Sequence, residues 1–135
     1  MAKIEITHDF PHPADHVWRW VGDAAGVAVW IPAIDSSHLE GDVRHVVFTD
    51  GQPARERIVA HDDAGRTYSY QYLDGPLPLE HYVSTVVVDP VGDDGSQVVW
   101  SAEFRAASPE VEAGLATAIS EIYASSLATL AERLG

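Results

Sequence analysis

Between Ile34 and Arg105 the chain is written as short runs of strand-like sequence, each closed by turn residues, and one long amphipathic segment follows the last of them. The runs fall at about Ile34–Leu39, Val43–Thr49, Ala54–His61, Thr67–Leu73, His81–Asp89 and Gln97–Arg105, rich in β-branched and aromatic residues. Glu40-Gly41-Asp42, Asp50-Gly51, Asp62-Asp63-Ala64-Gly65, Asp74-Gly75-Pro76 and Val91-Gly92-Asp93-Asp94-Gly95 punctuate them. Connections this tight leave no room for parallel crossovers, so successive runs must pair as antiparallel hairpins.

An earlier alternation, Lys3 to His8, predicts a first strand with Ile4 and Ile6 on one face. His12 to Gly22 reads as a short helix, with Pro13 in its first turn and Gly22 at its end. Asp23 can cap a second short helical segment reaching Val29, and Trp30-Ile31-Pro32 stops it, because a residue before proline avoids the α region. The closing helix is signalled by Ser108 as N-cap, Pro109 at the first helical position and Glu110 and Glu112 in the first turn. Leu115, Ile119, Ile122, Tyr123, Leu127, Leu130 and Leu134 form its apolar stripe. About 26 residues at roughly 1.5 Å each span nearly the whole sheet. The fold class is α+β: a seven-stranded curved antiparallel sheet with one long C-terminal helix on one face, and two short helices after strand one.

At 135 residues the chain fits one domain, 1–135, able to bury a core without staples. It contains no cysteine, and so no disulfide framework, thiolate metal site or thiol nucleophile. Eight lysines and arginines against 21 carboxylates give a net charge of −13. That surface repels phosphate backbones and anionic lipid, so neither nucleic acid nor membrane is an expected partner. Met1-Ala2-Lys3-Ile4-Glu5 alternates at once, and the expected location is cytoplasmic. The expected assembly is a monomer or a homodimer.

Strand alternation sorts the side chains into two faces. Val98, Trp100, Ala102 and Phe104 share the face expected to meet the helix, and Tyr68, Tyr70 and Tyr72 are expected to join them. Tyr82, Ser84, Val86 and Val88 compete with His81, Val83, Thr85 and Val87 for the inner face, and the first set is favoured. Arg55, Arg57 and His61 mark a solvent face, which turns Ala54, Glu56, Ile58 and Ala60 inward. Val46 and Phe48 turn inward as well and carry Arg44 with them. Whether Arg44 meets Glu56 depends on the intervening turn. A three-residue loop Thr49-Asp50-Gly51, with Gly51 left-handed, sets Arg44 opposite Glu56. A two-residue Asp50-Gly51 turn sets His45 there instead and points Arg44 at water. The apolar company of Arg44 favours the first register. An inward ion pair is either a register clamp or the polar floor of a cavity, with Arg44 orienting a carbonyl or carboxylate. Four tryptophans and five tyrosines are many for this length, and Tyr68, Tyr70, Tyr72, Tyr82, Trp100 and Phe104, expected on one sheet face, suggest a space holding water or ligand, since buried phenols need partners.

Pro13-Ala14-Asp15-His16-Val17-Trp18, Trp30-Ile31-Pro32, Arg44, Arg55-Glu56-Arg57, Tyr68-Ser69-Tyr70, Pro78 with Tyr82, and Val98-Val99-Trp100-Ser101 with Phe104 occur in an order that resembles the START-related helix-grip (SRPBCC) superfamily, and within it the polyketide cyclase/dehydrase-like group. The resemblance covers nearly the full length. It implies a helix-grip fold with a deep cavity between sheet and long helix, entered near the short helices and the loops after strands three, five and seven, with Trp30 near the entrance. Members include lipid and hormone carriers, ligand sensors and cofactor-free aromatase/cyclases, so no cofactor is expected.

Two functions follow as expectations. The first is binding of a hydrophobic polyketide-, lipid- or aromatic-like molecule by Trp30, Phe48, Ile58, Tyr68, Tyr72, Tyr82, Trp100, Phe104, Ile119, Ile122 and Tyr123. The second is a cyclase or dehydratase in which Glu56 acts as base, Arg44 stabilises an enolate oxygen and Tyr70 or Tyr82 donates to it. An interaction module is a third class. No metal site is expected: His8, His12 and His16 are evenly spaced, but Pro11 and Pro13 break any continuous helix through them and no carboxylate or cysteine completes a shell. A Gly-x-Ser-x-Gly elbow and Gly-rich phosphate loops are both absent.

Overall fold

The structure, a computed structural model, describes all residues from Met1 to Gly135. Seven strands form one antiparallel sheet: β1 (Ala2–Phe10), β2 (Ile34–Glu40), β3 (Val43–Phe48), β4 (Pro53–Asp62), β5 (Thr67–Asp74), β6 (Leu79–Val91) and β7 (Gly95–Ala106). Strands β2 to β7 run as a continuous meander, and β1 adds to the far side of β7, giving the order β1-β7-β6-β5-β4-β3-β2. Helix α1 (Ala14–Val21) and a 3-10 segment (Ala24–Val29) follow β1, and α2 (Pro109–Leu134) closes the chain. No helix is long and apolar enough to cross a membrane.

The local signals act as their chemistry requires. Ser108 accepts a hydrogen bond from Val111 N at 3.2 Å, and Pro109 occupies the first turn of α2. Asp23 caps the 3-10 segment through Gly26 N. Pro13 lies one residue before α1 rather than inside its first turn, with an extended ψ of 147°. The β3–β4 hairpin takes the three-residue loop: Phe48 N donates to Gln52 O at 2.9 Å, and Gly51 has φ 89°. Arg44 therefore stands opposite Glu56, and His45 opposite Arg55.

The inner face matches the alternation over most of the sheet. Tyr68, Tyr70, Tyr82, Ser84, Val86, Val88, Val98, Trp100, Ala102 and Phe104 are all buried. Ala60 is an exception. The β4–β5 register shifts between Ile58 and Ala60, and the extra residue turns Ala60 out to solvent. On α2 the buried stripe is Ile119, Tyr123, Ser126, Leu127 and Leu130. Each fully buried leucine or isoleucine contributes on the order of 1.5–3 kcal/mol, so packing more than helix propensity holds α2 in place.

That packing is asymmetric. Helix α2 lies against β1 and β7, α1 against β6 and β7, and the 3-10 segment against β2. The concave face over β3 to β5 is left without a helix packed directly upon it.

Candidate functional site

The uncovered part of the concave face holds a cavity of about 80 Å³. Ile31, Ala33 and Ile34 wall it on one side, Arg44, Phe48, Ala54 and Glu56 come from β3 and β4, and Tyr70, Tyr72, Tyr82 and Trp100 form its floor. Leu77 and Leu79 close it beside the β5–β6 loop, and Ile119, Ile122 and Tyr123 descend from α2. Ile34, Phe48, Leu77, Leu79 and Ile122 are only partly buried, which marks the side where the cavity meets solvent. Apart from Arg44 and Glu56, every lining residue is aliphatic or aromatic.

At the β3–β4 end, Arg44 Nε donates to Glu56 Oε1 at 2.9 Å, and Arg44 Nη1 donates to Ala24 O at 3.0 Å and to the Tyr68 hydroxyl at 3.1 Å. Its guanidinium also stands 4.6 Å from the centroid of the Tyr70 ring, within cation–π range. Burial opposes the Arg44 charge, but Tyr68, Glu56 and Tyr70 more than offset it and hold the group above its ordinary range. Neither Arg44 Nη2 nor Glu56 Oε2 forms a hydrogen bond with the protein. A donor and an acceptor are thus left side by side at the wall of an apolar space.

The other polar cluster is self-contained. The Tyr123 hydroxyl bonds Tyr82, lies 2.8 Å from Ser84 Oγ and 3.5 Å from the Tyr70 hydroxyl. Trp100 Nε1 donates to the Tyr70 hydroxyl at 3.2 Å and to Ser84 Oγ at 3.1 Å, while Ser84 Oγ donates to Ser101 O. Trp100 and Tyr123 stack with centroids 3.8 Å apart. Burial raises the Tyr70 phenol and carries Tyr82 and Tyr123 well above the usual phenol range. All three stay protonated at neutral pH.

These rings explain why the space is smaller than the alternation suggested. The tyrosines satisfy one another instead of water, and their bodies fill the concavity. At about 80 Å³ the cavity is well below the roughly 300–1,000 Å³ of most ligand sites. A multi-ring occupant needs the half-exposed wall of Ile122, Leu77 and Leu79 to move outward.

Of the residues singled out in the sequence, the cavity brings together Arg44, Glu56, Tyr70, Phe48, Tyr72, Tyr82, Trp100, Ile119, Ile122 and Tyr123. Four others lie outside its lining. Trp30 is 2% exposed and packs on Trp100 at 5.5 Å, so it is core and not at an entrance; its Nε1 has no partner. Phe104 is sealed beneath Tyr82, and Tyr68 backs Arg44 from behind. Ile58 sits at the β4 register shift and borders an open groove on the other side of the strand end. The sequence reading missed Ile31, Ala33, Ile34, Leu77 and Leu79. The signal was present: apolar residues flanking Pro32 and Pro78 in connecting segments must cover something.

A curved sheet, a long C-terminal helix docked at one side and a lined space between them define a helix-grip protein. The chain belongs to the polyketide cyclase/dehydrase and lipid transport family, whose model matches residues 1–135. It is similar to the solved structure of XoxI from Bacillus cereus, at 28% identity over 98% of this chain and 95% of that one, with a TM-score of 0.93. A Thermobifida fusca protein is 31% identical over 98% of this chain and 93% of its own, with a TM-score of 0.88. The ZhuI aromatase/cyclase of a Streptomyces species shares the fold, with a TM-score of 0.85 at 18% identity over 98% and 92% of the two chains. No curated protein matches the chain in sequence.

Proposed function

We propose that this protein binds a small, largely apolar molecule carrying a carbonyl or carboxylate in the space between α2 and strands β3 to β6, with an aromatic polyketide-like or lipid-like compound as the natural class. The observation that carries this reading is the free pair, Arg44 Nη2 and Glu56 Oε2, at the wall of a lining that is otherwise aliphatic and aromatic. An oxygen of the occupant accepts from Arg44, a hydroxyl of the occupant donates to Glu56, and the rings of Tyr70, Tyr72 and Trp100 take its apolar body. Family membership supports the same reading, because small-molecule binding is common to the cyclase and transport roles in the family's description. The cytoplasm fits such a role.

A cyclase or dehydratase reading is favoured by one specific feature. Glu56 presents an oxygen without a partner beside a permanently charged guanidinium and phenols that stay protonated. In that reading Glu56 takes an α-proton from the occupant, and Arg44 stabilises the enolate oxygen that develops.

Titration of the protein with hydroxynaphthalene ketones and with fatty acids, followed by tryptophan emission, tests binding. Saturable quenching that is lost in Trp100→Phe is expected; no saturable change with either class overturns the proposal. Glu56→Gln separates the two readings, since it leaves binding largely intact and removes turnover only if Glu56 is the base.

A further inference from the structure

The opposite face of the same hairpin carries a different chemistry. Strand alternation that turns Arg44 inward turns His45 outward, and the β2–β3 register sets His38 directly across from His45. Their rings stack with centroids 4.9 Å apart and planes 7° from parallel. Glu40, two residues after His38 on β2, comes up on the same side and brings its carboxylate to the Nε2 edge of both imidazoles. Oε2 lies 2.7 Å from His45 Nε2, and Oε1 lies 3.8 Å from His38 Nε2. One ligand atom from each of the three residues falls within 4.8 Å of the other two.

The geometry points to a surface binding site for a divalent transition metal of the zinc class, held by His38, Glu40 and His45 on the convex face of the sheet. Zinc bonds imidazole nitrogen and carboxylate oxygen at about 2.0–2.2 Å, so donor atoms around one ion stand roughly 3–3.5 Å apart. The observed separations bracket that figure. The side chains of His38 and Glu40 are 63% and 67% exposed, so the His38 ring is free to splay from its stack and aim its Nε2 at an ion shared with His45 and Glu40. Two imidazoles and one carboxylate make a three-ligand set that leaves further coordination positions to water. Imidazole donors select zinc, nickel or copper over magnesium or calcium.

The neighbouring charges do not compete for the role. Asp74, the next carboxylate along this face, is held by Arg55, whose Nε lies 3.1 Å from each of its oxygens. Asp42 pairs with Arg57 at 3.4 Å. Glu40 is the carboxylate left to the two histidines. The net charge of −13 raises the local concentration of cations around the whole chain. The other histidine pair, His12 and His16, sits 5.3 Å apart, but His12 Nε2 is engaged by Gly135 O.

Tag-free protein stripped of metal by chelator and titrated with Zn²⁺ by calorimetry tests the site. Saturable uptake of one ion per chain is expected, unaffected by excess Mg²⁺. His38→Ala, His45→Ala and Glu40→Gln should each weaken it by at least about tenfold, and His16→Ala should leave it unchanged. In wild-type protein the Nε2 resonances of His38 and His45 should be the ring nitrogens that shift with Zn²⁺, a readout independent of how the variants fold. No saturable uptake, uptake equally strong in His38→Ala and His45→Ala, or shifts confined to other histidines overturns the inference.

Discussion

Arg44 and Glu56 face each other across the β3–β4 hairpin at 2.9 Å, with Arg44 2% exposed and the Glu56 carboxylate at the edge of the cavity. The pair ties the hairpin loop to the site: only the three-residue turn at Gly51 sets these two residues opposite one another.

Breaking the pair from the acidic side leaves a buried guanidinium without a counter-charge. Glu56→Ala should cost about 3–5 kcal/mol of stability, measured by urea unfolding. Glu56→Gln, which keeps an acceptor, should cost less. The double change Arg44→Met with Glu56→Leu should be more stable than Glu56→Ala alone, because it removes both charges and fills the space with apolar groups.

The tyrosine cluster gives the stability a sign at high pH. In the unfolded chain phenols lose their protons near pH about 10, whereas burial holds Tyr70, Tyr82 and Tyr123 protonated to higher pH in the folded chain. The folded state binds more protons across that window, so stability is intact below it and falls as pH rises through it. Urea midpoints measured from pH 9 to 11 should drop steeply in the wild type. The slope should be shallower in Tyr82→Phe and Tyr123→Phe.

Gly75 shapes the solvent side of the cavity. Its φ of 152° suits glycine alone, and a Cβ there would collide with the Tyr72 hydroxyl and with Ala54 Cβ. The same Tyr72 hydroxyl accepts a hydrogen bond from Leu77 N at 3.0 Å, which holds the loop against the cavity wall. Gly75→Ala should destabilise the protein by more than about 1 kcal/mol and speed amide exchange at Leu77. Tyr72→Phe should reproduce the faster exchange with a smaller loss of stability.

The strands, the hairpin order of β2 to β7 and the long helix were legible because period-two alternation and turn residues are local signals, whereas the pairing of β1 with β7 is a long-range contact that no local pattern encodes. The Asp50-Gly51 turn left two registers open, and the apolar company of Arg44 favoured the one the structure adopts, which unites it with Glu56. Other features were set by docking and could not be read locally. Trp30 was expected at an entrance, yet the turn through Ile31 folds its ring onto Trp100. Ile58 was expected in the lining, and a register shift one residue later moved the end of β4 aside. The volume of the cavity depends on how far α2 sits toward β1 and β7, and no residue pattern on the helix encodes that offset. The mutual satisfaction of Tyr70, Tyr82, Tyr123 and Ser84 needed three elements, β5, β6 and α2, to be in place at once.

The space between α2 and strands β3 to β6 is, as proposed, a binding site and not an idle packing gap. Two-dimensional amide and indole NMR spectra of the protein, titrated with 2-naphthol as an aromatic probe, test this most directly. Saturable shifts are expected, concentrated at the Trp100 indole N–H, Tyr70, Tyr82, Ile119 and Ile122, and weakened when Phe48→Trp crowds the wall. Absence of saturation, or shifts spread over the outer face of the sheet with the Trp100 indole unmoved, would contradict it.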